Sequence, residues 1–218
     1  MASSAANILQ RQFKELTRNP VPGFAVDLKD DNIFVWDVAI IGSPKTIYEG
    51  GYFKATMAFP PDYPFNPPTF RFDRDFYHPN VYLDGRLCIS ILHPPGDDPI
   101  SGEKAEERWN PTQSVESVLM SIISLLADPN CSSPANVDAG VAYRKDRELY
   151  DSIVKNQVEI SKKDIPPGFK MPQSEKDFMI AAPLEIEEDD NFWYESGDAS
   201  DFDADDDNYD LDDEDEDD

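Results

Sequence analysis

Cys88 is one of two cysteines in the 218 residues, the other being Cys131, and a thiolate is a strong nucleophile at neutral pH. It lies in the irregular run HPNVYLDGRLCIS, just after a Leu83-Asp84-Gly85 turn. Eight residues before it stands Asn80, in the rigid tripeptide His78-Pro79-Asn80; its amide can donate a hydrogen bond to a developing oxyanion. Trp109 and the segment after it are a candidate second wall. Two readings of Cys88 stand at this point, a partly buried structural thiol or a nucleophile for a carbonyl carbon. A free thiol with a pKa near 8.5 is a few per cent thiolate at pH 7, which suffices against an already activated acyl group. A cysteine hydrolase would need a base on the thiol, and none is convincing. His78 is expected to fix its own turn, and His93 to be an exposed loop residue. Cys131 is expected to be inert.

These groups need elements to hold them. Ile8, Leu9, Phe13 and Leu16 form one stripe of an amphipathic helix, capped by Ser3 or Ser4 and ended by Asn19-Pro20. Runs at Ile33–Ile41, Tyr52–Phe59 and Thr69–Phe72 read as strands, with Phe24–Leu28 as an added edge. Their close spacing favours an antiparallel meander over βαβ units. Residues 60–110 lack periodicity, and such a stretch inside a domain is often functional. Asn110-Pro111-Thr112-Gln113 reads as a helix start, with Asn110 as the cap. The helix carries Val115, Val118, Leu119, Ile122, Ile123, Leu125 and Leu126 and stops at Asp128-Pro129-Asn130. One or two helices follow over 137–160, with Leu149, Ile153 and Val154 as apolar positions, and Ile165-Pro166-Pro167-Gly168 marks the expected domain edge.

The net charge of −26 is unevenly placed: 20 of the 45 acidic residues lie in 185–218, which holds no Lys or Arg. The body is thus an ordinary mildly acidic domain. Phosphate binding needs clustered Lys and Arg, so neither nucleic acid nor an anionic membrane is an expected partner. The cysteines lack metal-ligand spacing and form no disulfide framework, so no metal and no cofactor is expected. With no apolar stretch of signal or membrane-spanning length, a cytoplasmic and nuclear home is expected.

Four segments in order carry a resemblance: FPPDYPFNPPTFRF, then HPN, then Cys88, then RWNPTQSV at residues 108–115. Together they resemble the ubiquitin-conjugating domain over about residues 5–160. The resemblance implies an α+β fold: an N-terminal helix, a four-stranded antiparallel sheet, a central helix and C-terminal helices, spanning 1–165 and followed by an acidic, disordered tail at 166–218. It implies an enzyme that receives ubiquitin from a ubiquitin-activating enzyme as a thioester on Cys88 and passes it to a lysine. Asn80 then steadies the oxyanion or the loop that shapes it, and Tyr82 and Ser133 border the lysine gate, where many relatives carry an acid in place of Ser133. Ligase binding falls to Arg11 and Lys14 on the first helix, Phe65, and Asn110, Pro111 and Thr112. For Phe65 alone, an exposed anchor and a core aromatic are equally open.

A long insertion between Cys88 and Trp109, with Asp97, Asp98, Glu103, Glu106 and Glu107, resembles the acidic-loop, acidic-tail subclass. That subclass serves cullin-RING ligases and builds chains through ubiquitin lysine 48 that mark proteins for degradation; the loop at 97–107 would position the incoming lysine. The run is also expected to be solvated. The tail's acids, punctuated by Phe192, Trp193, Tyr194, Phe202 and Tyr209, suit a basic groove on the ligase or serve only solubility. One departure stands out: Tyr143-Arg144-Lys145 passes straight to Asp146-Arg147-Glu148, where the subclass has extra residues. The competing readings are a non-catalytic ubiquitin-binding adaptor, which retention of the cysteine opposes, and conjugation of another ubiquitin-like modifier.

Overall fold

The computed structural model describes residues 4–97, 103–172, 174, 176 and 178. Helix α1 (Ser4–Arg18) turns Ala5, Ala6, Leu9 and Leu16 inward. Four strands follow, β1 (Phe24–Lys29), β2 (Asn32–Ile41), β3 (Tyr52–Ala58) and β4 (Thr69–Phe72). They pair antiparallel in sequence order, the meander that their short connections predict. Alternation decides the faces. Trp36, Val38 and Ile40 of β2 join Phe53, Ala55 and Met57 of β3 in the main core. Trp36 is the hinge of that core, meeting Phe13 of α1 at 5.2 Å and Phe59 at 4.8 Å between ring centroids. Its indole N–H donates to the Ile33 carbonyl at 2.7 Å, so the buried ring leaves no orphaned donor.

Helix α2 (Val115–Ala127) buries Val115, Val118, Leu119 and Ile122. Its cap corrects the sequence reading. Ser114, not Asn110, is the N-cap: its hydroxyl accepts from Ser117 N–H at 3.3 Å while Ser114 N–H donates to Ser117 Oγ at 3.0 Å. Asn110 instead closes its own turn, accepting from Thr112 N–H at 3.0 Å. Both are legitimate uses of a short polar side chain, and a serine pair three apart outcompeted the Asn-Pro signal.

Helices α3 (Val137–Lys145) and α4 (Arg147–Ser161) meet with a single residue between them. Asp146 serves both: its backbone N–H caps α3 on Ala142, and its carboxylate accepts from Leu149 N–H at 3.0 Å to start α4. The direct passage at Lys145 therefore needs no spacer. Within α4 the buried stripe is Tyr150, Val154 and Val158 at intervals of four; Leu149, expected inside, is 48% exposed.

Past the expected domain edge at Ile165 the chain continues to pack on the sheet. Ala39, Ile41 and Tyr52 point to the sheet face opposite the main core, and Ile165, Phe169, Met171 and Phe178 pack on them. Phe169 meets Tyr52 edge to face at 5.2 Å. An apolar patch on an outward sheet face favours a cover, and the chain past the prolines supplies it. The rest of the expected tail, residues 179–218, lies outside the described residues, as does its expected disorder.

Phe169→Ala should therefore destabilise the domain by about 1–2 kcal/mol, the worth of a half-buried aromatic, while Lys170→Ala on the exposed neighbouring position changes little. Denaturant midpoints of the two variants check this; equal midpoints would mean that the segment past the prolines adds nothing to the stability of the fold.

Candidate functional site

Cys88 sits at the end of a small hairpin that folds back on itself between Asn80 and Cys88. Tyr82 N–H donates to Arg86 O and Gly85 N–H to Tyr82 O, both at 2.9 Å, and Cys88 N–H closes the base on Asn80 O at 2.9 Å. The hairpin is laid along the free edge of β4: Phe72 N–H donates to Gly85 O at 2.9 Å and Leu87 N–H to Phe70 O at 3.0 Å. Gly85 is needed where it stands. Its φ is +86°, and a Cβ there would come 2.5 Å from the Phe72 carbonyl oxygen.

Asn80 is buried and its side-chain amide is committed. Nδ2 donates to Asn130 O at 2.8 Å, and Oδ1 accepts from Asn130 N–H at 2.8 Å. Of the two roles expected for it, this geometry serves the one of shaping the loop after α2. Next to it, Pro79 O accepts from Asn136 N–H at 2.9 Å, and the Asn136 side chain caps α3 through Ala139 N–H at 3.0 Å. His78 fixes the turn as expected, its Nδ1 accepting from Asn80 N–H at 3.0 Å. Burial pushes its pKa down to about 4, opposed only in part by the Leu125 backbone, so it is neutral at pH 7 and turned away from acid–base work.

Two side chains approach the Cys88 sulfur. The Tyr82 hydroxyl, on a partly exposed ring, donates toward Sγ at 3.7 Å. That contact raises the Tyr82 pKa, with the sulfur's charge and partial burial acting the same way. The second neighbour is the residue that sequence reasoning misplaced. His93 is not an exposed loop residue; its side chain is 32% exposed, with Nε2 at 3.9 Å from Sγ and Nδ1 at 2.8 Å from Glu103 Oε2. A short helical turn over Ser90–Leu92 brings it back to the cysteine. Glu103 was expected on a solvated loop and is instead drawn in, accepting from Ser90 Oγ at 2.8 Å with Arg108 at 3.9 Å. Burial would raise its carboxyl, but the hydrogen bonds from His93 and Ser90 and the Arg108 charge outweigh that and hold it below the usual carboxylate range. No local motif announces a His and a Glu ten residues apart.

The remaining candidates are placed as follows. Ser133 is exposed on the loop between α2 and α3, and among the described residues no hydrogen bond joins it to Cys88 or Tyr82. Asp97, Glu106 and Glu107 are exposed, as a solvated run requires, and Asp98 lies outside the described residues. Burial pushes the Cys131 thiol up, with Asp128 adding to it against Arg144, which makes it a poor nucleophile. Trp109, expected as a wall of the site, is core: it is 1% exposed and donates to Pro64 O at 2.7 Å.

Arg11, Lys14, Asn110, Pro111 and Thr112 are exposed, and Phe65 is exposed to 69%, which decides its open reading against the core. One residue that sequence reasoning passed over brings their elements together. The Gln12 side-chain oxygen accepts both from Tyr63 Oη at 3.1 Å and from Val115 N–H at 3.0 Å. That single acceptor joins α1, the turn bearing Phe65 and the start of α2.

A family model described as ubiquitin-conjugating enzyme matches residues 8–158. The Saccharomyces cerevisiae protein "Ubiquitin-conjugating enzyme E2-34 kDa" is 53% identical over 89% of this chain and 68% of its own length. "Ubiquitin-conjugating enzyme E2 7" and "Ubiquitin-conjugating enzyme E2 13" of Arabidopsis thaliana are 57% and 56% identical, each over 69% of this chain and 91% of its own length.

The buried imidazole beside the site gives a pH test. A histidine ordinarily titrates near 6.5 when unfolded, whereas His78 in the fold does so at about 4. Between these values the unfolded chain binds the extra proton, so stability falls as pH drops from about 6.5 to about 4, by about 1.4 kcal/mol per unit. Denaturant titrations across that window should show this slope, and His78→Gln, whatever its baseline stability, should flatten it. An unchanged slope in the variant would assign the acid sensitivity elsewhere.

Proposed function

Because the chain belongs to the ubiquitin-conjugating enzyme family, we propose that Cys88 is the residue on which it carries ubiquitin, and that it builds lysine-48-linked chains with a cullin-based RING ligase. Enzymes of this family take ubiquitin from a ubiquitin-activating enzyme as a thioester and pass it on with a ligase. What carries the assignment to this residue is the Cys88 thiol itself: partly exposed, free of a disulfide, and held at the base of a pinned hairpin. Cys131, the alternative, has its thiol pushed up by burial, which leaves less thiolate for attack.

In charging, the Cys88 thiolate attacks the activated carbonyl carbon and the activating enzyme's thiol leaves. In discharge a lysine amine attacks the new thioester. That amine must be neutral, and a lysine near pKa 10.4 is mostly charged at pH 7. Exposed acids at Asp97, Glu106 and Glu107 draw a lysine-bearing surface toward the thioester, which supports a ubiquitin acceptor for chain building. Tyr82 and Ser133 line the approach, and Asn80 keeps the loop bearing Ser133 in shape through Asn130. Phe65, Arg11, Lys14 and Asn110 to Thr112 form the ligase surface, with Phe65 as its apolar anchor. The acidic run at 185–218 is read as a steering element for a basic groove on that ligase. The similarity to the yeast 34 kDa enzyme reaches beyond the 8–158 domain, since it covers 89% of the chain, and it supports assigning this protein to the tailed subclass.

Mixing the protein with ubiquitin-activating enzyme, ATP and ubiquitin should yield an adduct that reductant removes. Cys88→Ala should abolish it and Cys131→Ala should not; an adduct that survives Cys88→Ala sinks the assignment. With a cullin-RING ligase, removal of residues 185–218 should slow chain formation at low salt and weaken its dependence on salt. Equal salt profiles with and without the tail would leave it no steering role.

A further inference from the structure

We propose that His93, held by Glu103, is the proton shuttle of this enzyme: its Nε2 takes the proton from the attacking lysine and returns it to the departing Cys88 sulfur. The inference rests on the reading that Cys88 carries the thioester.

The orientation of the ring assigns the nitrogens. Nδ1 lies 2.8 and 3.0 Å from the two oxygens of Glu103, and a carboxylate accepts, so Nδ1 bears the hydrogen. The lone pair is then on Nε2, the nitrogen 3.9 Å from Cys88 Sγ. A third group that orients a base toward a nucleophile is the general form of nucleophilic catalytic sites. Every member is held by contacts of its own. The His93 carbonyl accepts from Trp109 N–H at 3.0 Å, and its N–H donates to Ser90 O at 2.9 Å. Glu103 is fixed from the other side by Ser90 and Arg108, and Arg108 Nε donates to Pro94 O at 2.9 Å. Among the described residues, the charged and titratable groups in contact with the imidazole or its partners are Cys88 and, across the sulfur, Tyr82 on one side, and Glu103 backed by Arg108 on the other. His78, the protein's second histidine, is buried and engaged with Asn80, so it offers no substitute.

The step balances with one base. The neutral lysine Nζ forms a bond to the thioester carbonyl carbon and becomes a positively charged nitrogen in the tetrahedral adduct. It loses one proton to His93 Nε2. The C–S bond then breaks, the amide carbonyl re-forms, and Cys88 leaves as a thiolate that takes the proton from the imidazolium. One amine and one thioester become one amide and one thiol, with His93 returned to its starting form. Glu103 stabilises the imidazolium in between, which makes it a positioning residue.

The test is single-turnover discharge of the preformed full-length thioester onto free lysine, without ligase, from pH 5.5 to 8. Reaction needs two protons to be absent, one from the amine and one from His93 Nε2, so acid acts on it through both groups. The wild-type profile should therefore be steeper on its acid side. His93→Gln should lose that extra steepness and react about 10²-fold more slowly at pH 7. Glu103→Gln, which leaves the imidazole but not its orienting carboxylate, should give a smaller loss. Hydroxylamine, neutral at pH 7 and a far weaker base than lysine, should discharge the His93→Gln thioester at nearly the wild-type rate. Discharge onto lysine at wild-type rate and profile overturns the proposal. So does an equal slowing with lysine and hydroxylamine, which would mean that His93 only shapes the site. If His93→Gln fails to fold or charge, the Glu103→Gln profile decides alone. A wild-type protein that forms no thioester refutes the Cys88 reading instead, and is seen before any variant is compared.

Discussion

A primary amide taken out of water must find partners for both of its ends, and the Asn80 side chain finds both on one residue. Left unpaired, such a group costs about 1–3 kcal/mol; closed on the Asn130 N–H and carbonyl, it ties the cysteine-bearing hairpin to the loop after α2. The same residue's carbonyl receives Cys88 N–H, and its N–H reaches His78. Segments far apart in the chain thus meet on one buried side chain, and the position of the sulfur depends on it. His78 shows the cost of that arrangement. An imidazole is kept neutral inside the core so that one of its nitrogens can accept from the turn.

The acidic insertion divides into two populations with different physics. Asp97, Glu106 and Glu107 face water, where their charges act over a Debye length and contribute little to stability. Glu103 faces inward, between His93, Ser90 and Arg108, and there one carboxylate organises both ends of the loop. A run that is uniform in composition is therefore not uniform in role. The inward acid makes the loop a part of the site, and the outward ones make it a field around the site.

The meander and α1 were legible in the sequence because burial enforces period: the alternation of Phe53, Ala55 and Met57 and the stripe at Ile8, Leu9, Phe13 and Leu16 leave few other solutions. The family was legible because the segments around Cys88 stand in a recognisable order. Errors came where two local signals of similar strength competed, as with Asn110 and Ser114 for one helix start, or Leu149 and Tyr150 for one stripe. His93 and Glu103 were missed for a different reason. Their pairing is made by the return of a loop, and neither residue carries any periodic or motif mark of it. Phe169 and Phe178 were hidden by the prolines before them, which signal a change of chain direction but not a departure from the domain.

The hairpin laid along β4 has a further consequence. An open strand at a sheet margin is a template for another chain, and proteins cover or charge such margins to stay apart. Here the margin is closed by Gly85 and Leu87, on the same few residues that end in Cys88. The cover of the sheet edge and the placement of that thiol thus share one stretch of backbone. Substitutions that loosen this hairpin uncover a sticky edge as they displace the thiol, so the chain has little freedom to move Cys88 without inviting aggregation at this margin.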